Sequence, residues 1–179
     1  MDITPLQVAQ HEAAHAVMRK ICGMTATRLH LHDEGGFCAG TGKSIRADDE
    51  LIYTLAGFAW ETLEGYGPKI GSINLGMGVF GPEDFREAWE ILETREHLRF
   101  KVKTSPTGEP KAVFDTVCGT LRRYFAMAMA ELKPHRGAIE RIGAILHEEG
   151  ELSAKRVGAL LRGVEAGRKV FEAQPTRRE

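Results

Sequence analysis

The sequence predicts a mainly α-helical domain of the α+β class that carries one small antiparallel β-hairpin. Apolar residues recur at helical spacing over most of the chain, and helix-capping residues precede several of these segments. The alternation of apolar and polar residues that is typical of strands is found near residues 27–32. The length of 179 residues suits a single domain of ordinary size.

The first helix is predicted over residues 4–22. Thr4 can cap it, Pro5 suits its first position, and Gln7 completes a capping box. Gly23 is expected to end it. Apolar residues then alternate with polar ones from Thr27 to Leu31, and a turn and a returning stretch at residues 37–41 complete the predicted hairpin.

A second helix is predicted over residues 48–65, because acidic residues at its start suit the helix dipole and an apolar face follows. Gly57 in its middle predicts a close backbone approach, which we expect to be against the alanines of the first helix. Residues 65–81 are rich in glycine and are expected to form a flexible, functional loop.

A third helix is predicted from Pro82 to about residue 98, followed by a flexible polar linker at residues 101–111. Helices are then predicted near residues 112–132, 134–149 and 153–171, with a frayed tail. Four aromatic residues at helical spacing are assigned to the core: Trp60, Trp89, Tyr124 and Phe125.

The composition excludes several functional classes. The formal net charge of −1 argues against a nucleic-acid-binding protein. No apolar run reaches the roughly 18 residues that a membrane span needs, and the N-terminus lacks the basic segment of a signal peptide. The three cysteines are odd in number and far apart, so we expect reduced thiols and a cytoplasmic location.

The strongest functional signal is the HExxH motif on the first helix, His11-Glu12-Ala13-Ala14-His15. Histidines four residues apart lie on one helical face, roughly 6 Å apart along the axis, so both can bind one zinc ion. Glu12 is offset by about 100° around the helix. It is therefore placed to accept a proton from a water on the metal rather than to act as an equal ligand.

A catalytic zinc needs a third protein ligand and an open position for water. Asp84 is favoured, because it lies in the first turn of a predicted helix, directly after the glycine-rich loop. His30 and His32 are expected to be structural or exposed, although they remain candidates. The full set of candidates is His30, His32, Asp33, Glu34, Glu61, Asp84 and His97.

The sequence resembles the peptidase domain of FtsH-type proteases, the AAA+ zinc metalloproteases of bacteria, mitochondria and chloroplasts. Residues 11–17, HEAAHAV, resemble the family's HEAGHA signature, and residues 55–61 resemble its LGGRxAE. Residues 81–88, GPEDFREA, resemble GAxxD(I/L)xxAT, and residues 132–152 resemble the family's C-terminal pattern. Ala14 replaces the family's glycine, and one residue fewer precedes Asp84.

The resemblance implies that His11, His15 and Asp84 are zinc ligands and that Glu12 is the catalytic carboxylate. It also implies that Glu61 orients a ligand histidine from outside the ligand shell. A polypeptide is the implied substrate. Because the chain has no Walker A motif, we expect ATP-independent action on unfolded or flexible polypeptides, and a homo-oligomer or a separate ATPase partner stays open.

The expected function is therefore that of a zinc-dependent metalloendopeptidase. Two alternatives stay open at this point. One is a non-catalytic zinc-binding module that holds a partner protein, against which the intact Glu12 argues. The other is a regulatory metalloprotein that cuts one repressor, for which no helix-turn-helix signal is found.

Overall fold

The computed structural model describes residues 3–33, 35–43, 46, 48–73, 82–94 and 111–165. It is mainly helical and has a small three-stranded antiparallel sheet, which confirms the predicted fold class. The described helices are α1 (Pro5–Ile21), α2 (Asp49–Thr54), α3 (Ala56–Leu63), α4 (Glu83–Thr94), α5 (Lys111–Leu132), α6 (Arg136–Glu149) and α7 (Ala154–Leu160). The strands are β1 (Thr25–His32), β2 (Gly35–Thr41) and β3 (Glu151–Ser153).

Helix α1 has the capping box that the sequence predicts. The Thr4 hydroxyl accepts a hydrogen bond from the Gln7 amide at 3.3 Å, and the Gln7 side chain accepts one from the Thr4 amide at 2.8 Å. Gly23, at φ 75°, follows the end of the helix. Because α1 contacts α3, α6 and both hairpin strands, the HExxH motif lies at the centre of the fold.

The predicted hairpin is part of a larger sheet with the strand order β2-β1-β3. The third strand was not predicted, because three residues are too few to show an alternating pattern. It follows Gly150, and Leu152 pairs with Leu29 of β1. An irregularity between Ala26 and Arg28 shifts the register of β1, so Ala26 is buried where the alternation had predicted Thr27.

The predicted helix over residues 48–65 is wrong in one respect, because it is divided at Leu55 into α2 and α3. The apolar pattern continues through the division, so the sequence gives no sign of it. A short 3-10 turn, Ile70–Ser72, follows α3 inside the segment predicted as a flexible loop. The rest of that loop, residues 74–81, lies outside the described residues, as do residues 101–110 of the predicted linker.

Three other predicted helix boundaries need correction or lie outside the described residues. Helix α4 begins at Glu83 rather than at Pro82, whose carbonyl accepts the Arg86 amide at 3.2 Å. The prediction for residues 95–98 falls outside the described part. The last predicted helix is too long, since α7 ends at Leu160 and a 3-10 turn, Leu161–Gly163, follows. Gly163 favours this end, because glycine is a poor helix former.

The core lies between α1, the sheet and the helices α3 to α6. The four aromatic residues assigned to it from the sequence are buried, which confirms that prediction. Cys22 and Cys38 are thiols, and the side chain of Cys118 is outside the described part. Within the described ranges, no helix combines the length and the apolar character needed to cross a membrane.

Candidate metal centre

His11, His15 and Asp84 are brought together by α1 and α4. The Nε2 atoms of His11 and His15 are 3.2 Å apart, and Asp84 Oδ2 is 3.2 Å from each of them. The three atoms therefore form an almost equilateral triangle. Among the residues that the structure describes, this is the group of His, Cys, Asp and Glu side chains able to hold a metal ion.

Asp84 reaches the triangle because the start of α4 is fixed to the core by its neighbour, Phe85. The Phe85 side chain is fully buried and lies between Phe58 of α3 and Phe125 of α5, with ring centroids 5.2 and 5.8 Å away. Asp84 is in the first turn of α4, so its carboxylate extends from the end of a helix held in place by this aromatic stack.

His11 is oriented by α3. Its Nδ1 atom lies 2.7 Å from Oε1 of Glu61, which is buried, and its ring meets Phe58 edge to face at 5.0 Å. Nδ1–H donation to the carboxylate leaves the lone pair of Nε2 directed at the triangle. A carboxylate in this position can orient His11, which is the role that the resemblance implies for Glu61.

Gly57 of α3 lies against the His11 ring. A Cβ atom at this position would overlap the imidazole. The close approach predicted for Gly57 is therefore found, but its partner is His11 and not the alanines of α1. A glycine in a helix costs roughly 1 kcal/mol relative to alanine, so Gly57 gives up helix stability to leave room for the ring.

His15 is oriented by a backbone group that the sequence analysis missed. Its Nδ1 atom lies 2.8 Å from the carbonyl oxygen of Tyr53. Tyr53 is in the last turn of α2, and its carbonyl is also approached by the backbone N–H of Leu55. A carbonyl oxygen has two lone pairs, so it can also accept from His15 Nδ1–H, and the Nε2 lone pair of His15 then faces the triangle.

Glu12 lines the same cleft as His15 and Asp84. Its side chain passes close to Gly36 of β2, where an added Cβ would lie 2.7 Å from Glu12 Cγ. Burial raises the pKa of Glu12, and the nearby histidines oppose this effect. A carboxyl whose pKa is raised beside such a cluster of histidines and aspartate is suited to exchange protons.

Hydrogen bonds and charges within the cluster shift the pKa of each of its three members. Burial lowers the pKa of His11, but hydrogen bonds to Asp84 and Glu61 outweigh it and raise the pKa to about 10. For His15, too, burial lowers the pKa, but Asp84 outweighs this effect, so the pKa is raised above its ordinary value. Burial raises the pKa of Asp84, yet the two histidines hold it well below its ordinary value. Asp84 is therefore a carboxylate at neutral pH, and His11 carries a proton beside it.

The other candidate ligands lie elsewhere or outside the described part. His30, His32 and Asp33 do not belong to the cluster of His11, His15 and Asp84, and His30 lies 3.8 Å from Glu151 of β3 instead. Glu34 and His97 are outside the described residues, as is the part of the glycine-rich loop that precedes Asp84.

The cleft beside the cluster has a volume of about 270 Å³. One wall is formed by residues 36–38 of β2 and the other by the first turns of α4, while α1 and α2 form its floor. Because β2 is at the end of the strand order, its outer edge pairs with no described strand. Sequence reasoning also missed Arg19 and Cys38, which line this cleft.

No protein-family profile matches the chain, and no curated protein matches it. The geometry of the cluster is therefore the feature that bears on function.

Proposed function

We propose that the protein is a zinc-dependent peptidase whose metal ligands are His11, His15 and Asp84. The observation that carries the proposal is the 3.2 Å separation between each pair of ligand atoms. Ligand atoms about 2.0–2.1 Å from a zinc ion in tetrahedral geometry lie about 3.3–3.4 Å from one another. The triangle thus has the size of one face of a zinc tetrahedron.

The kinds of donor atom also favour zinc. Two imidazoles and one carboxylate, with a fourth position open, are typical of catalytic zinc sites in hydrolases. Glu61 and the Tyr53 carbonyl fix the ring nitrogen that carries the proton in each histidine. Such outer contacts orient the ligand atoms before the metal arrives and are usual at zinc sites.

When bound, zinc would lower the pKa of a water from 15.7 to about 7 and polarise the substrate carbonyl. Glu12 would accept the proton of the attacking water and pass it to the leaving amine. Its place in the cleft and its raised pKa support this role, because a general base works best when its pKa approaches the working pH.

An extended polypeptide is the substrate that suits this cleft. The outer edge of β2 offers backbone amide and carbonyl groups beside Glu12 and the metal ligands. An added peptide strand can pair with such an edge, which places its backbone along the cleft. The similarity of residues 11–17, 55–61 and 81–88 to FtsH-type peptidase motifs supports the same reaction.

The test is cleavage of unfolded casein by zinc-loaded protein and by the variant Glu12→Gln. Glutamine keeps the size of the side chain but cannot accept a proton as a carboxylate does. We expect zinc binding to survive and cleavage to fall by about 10²–10⁴-fold. Glu148→Gln, an exposed acid on α6, is the matched control and should cleave like the wild type.

Equal inactivity of the wild type and Glu12→Gln on several unfolded proteins, with zinc bound in both, would contradict the proposal. That result would favour the alternative of a non-catalytic zinc-binding module.

A further inference from the structure

Arg19 lies on the same face of α1 as the two histidine ligands, four residues after His15. It lines the cleft together with Glu12, His15 and Asp84. One further helical turn places its Cα roughly 6 Å beyond that of His15 along the axis. Arg19 therefore extends the row of functional side chains past the metal ligands.

The guanidinium of Arg19 is held in place by two neighbours. Its Cζ lies 4.3 Å from the centre of the Tyr53 ring, a cation–π contact. On the other side, a Cβ added at Gly40 of β2 would lie 2.5 Å from Nη1, so the absence of a side chain there leaves room for the guanidinium. A group fixed in this way loses little entropy when a ligand binds.

Arg19 has no acidic partner in direct contact among the residues that the structure describes. Its Nε is buried without a hydrogen-bond partner. Glu87 on the opposite wall attracts it only at longer range. Burial raises the pKa of its neighbour Cys38 to about 12, so this thiol stays neutral and does not balance the positive charge.

We propose that Arg19 binds a carboxylate of the peptide substrate and makes the enzyme selective for it. An arginine in a cleft that pairs with no carboxylate of the described residues has a planar fork suited to bidentate carboxylate recognition. This inference rests on the proposed function, because a peptidase reaction makes a peptide the ligand.

The position of the carboxylate follows from the spacing along α1. An extended peptide advances about 3.3 Å per residue, so a separation of roughly 6 Å corresponds to about two residues. The carboxylate would belong to an acidic side chain within about two residues of the cleaved bond, on one side of it, or to a C-terminal residue at that place.

The test uses zinc-loaded protein and short fluorogenic peptides that differ only at these positions. One arm compares Glu, Gln and Lys side chains, and the other compares a free C-terminal acid with its amide. In one of the two arms, we expect the wild-type kcat/KM for the peptide with the carboxylate to exceed that for its neutral counterpart by about 10–100-fold. This is the usual range for a charge-assisted hydrogen bond. The arm that shows the preference identifies the source of the carboxylate.

Arg19→Gln should reduce this ratio to near one, and Arg19→Glu should reverse it in favour of Lys peptides. Arg156→Gln on α7 is the matched control and should keep the wild-type ratio, because Arg156 pairs with Glu149 away from the cleft. Zinc content and thermal unfolding are measured for each variant. If Arg19→Gln does not fold, Arg19→Lys replaces it, and the loss of the planar fork should lower the ratio in part.

Binding of the same peptides to zinc-loaded Glu12→Gln, measured by fluorescence anisotropy, separates the two proposals. Carboxylate-dependent binding without cleavage by the wild type contradicts the peptidase reaction and supports the role of Arg19. Cleavage with a Glu/Gln ratio near one at every position and at the C-terminus overturns the role of Arg19 alone. Failure to bind any peptide overturns both.

Discussion

Gly57 lies so close to His11 that any side chain at residue 57 would occupy the space of the imidazole ring. The proposed ligand His11 thus depends on a residue of another helix that contributes no ligand atom. The same pattern recurs around the cluster, where Glu61, the Tyr53 carbonyl and Gly36 each position a functional side chain.

Replacement of Gly57 by alanine should displace His11 and weaken zinc binding by about 100-fold or more, beyond the usual cost of losing an outer contact. The measurement is a zinc titration against a competing chelator. Gly119→Ala on α5 is the control, because a Cβ there meets no atom within 4 Å. That variant should bind zinc normally and gain helix stability. Wild-type affinity in Gly57→Ala would contradict the close packing.

Removal of the Glu61 carboxylate should weaken zinc binding by about 10–100-fold, because His11 loses the group that fixes its Nδ1 proton. Glu61→Ala should show the larger loss and Glu61→Gln a smaller one, since an amide oxygen still accepts the hydrogen bond. Calorimetric zinc titration measures both. Equal affinity in all three proteins would show that Glu61 does not orient the ligand.

Substitution of Gly36 by alanine should lower peptide cleavage while zinc binding is kept. An added Cβ would lie 2.7 Å from Glu12 Cγ, so the carboxylate must move. We expect a fall of about 10²-fold or more in kcat, since general-base efficiency depends on position. The neighbouring Gly35→Ala is the control, because its Cβ comes no closer than 3.6 Å to His32. A fall of similar size in both variants would argue against a specific effect on Glu12.

Zinc and protons should compete for the cluster. The pKa of His11 is raised to about 10 without metal, so zinc must displace a proton at neutral pH. We therefore expect the apparent zinc affinity to rise between about pH 6 and 9. Calorimetry in buffers of different ionisation enthalpy should detect the released proton, and a pH-independent affinity with no proton release would contradict the pKa direction.

The stability of the metal-free protein should change in the opposite sense. A pKa raised in the folded state contributes stability that is fully present below the ordinary value of 6.5 and is lost as the pH approaches 10. The lowered pKa of Asp84 contributes stability above its ordinary value of 3.8, which is lost in acid. The melting temperature of metal-free protein should therefore be highest between about pH 3.8 and 6.5. Asp84→Asn should flatten this dependence of melting temperature on pH.

Much of the helical fold was predictable because capping residues and apolar spacing are local signals. Helix α1 begins at the predicted cap, and the HExxH spacing and the helix that follows the glycine-rich loop pointed to the three residues now found together. The division at Leu55 and strand β3 were not predictable, since neither interrupts a local pattern. The first accompanies a hydrogen bond between Tyr53 and His15, and the second depends on pairing with β1.

The role of Gly57 shows the same limit within the site. The sequence indicated a close approach at this residue, but which neighbour approaches depends on how α3 crosses α1. Arg19 was overlooked because an arginine on a helix is usually a solvated side chain. Only the folded structure shows its guanidinium enclosed by Tyr53 and Gly40, with no acidic partner among the described residues.

X-ray absorption at the zinc edge of protein loaded with one equivalent of zinc tests the central claim most directly. We expect four light scatterers at about 2.0–2.1 Å, with the outer-shell signal of two imidazoles and no sulfur. The thiol of Cys38 lines the same cleft, so it is the competing ligand that this measurement can detect. A sulfur scatterer at about 2.3 Å, a single imidazole, or no stoichiometric binding would contradict a centre formed by His11, His15 and Asp84.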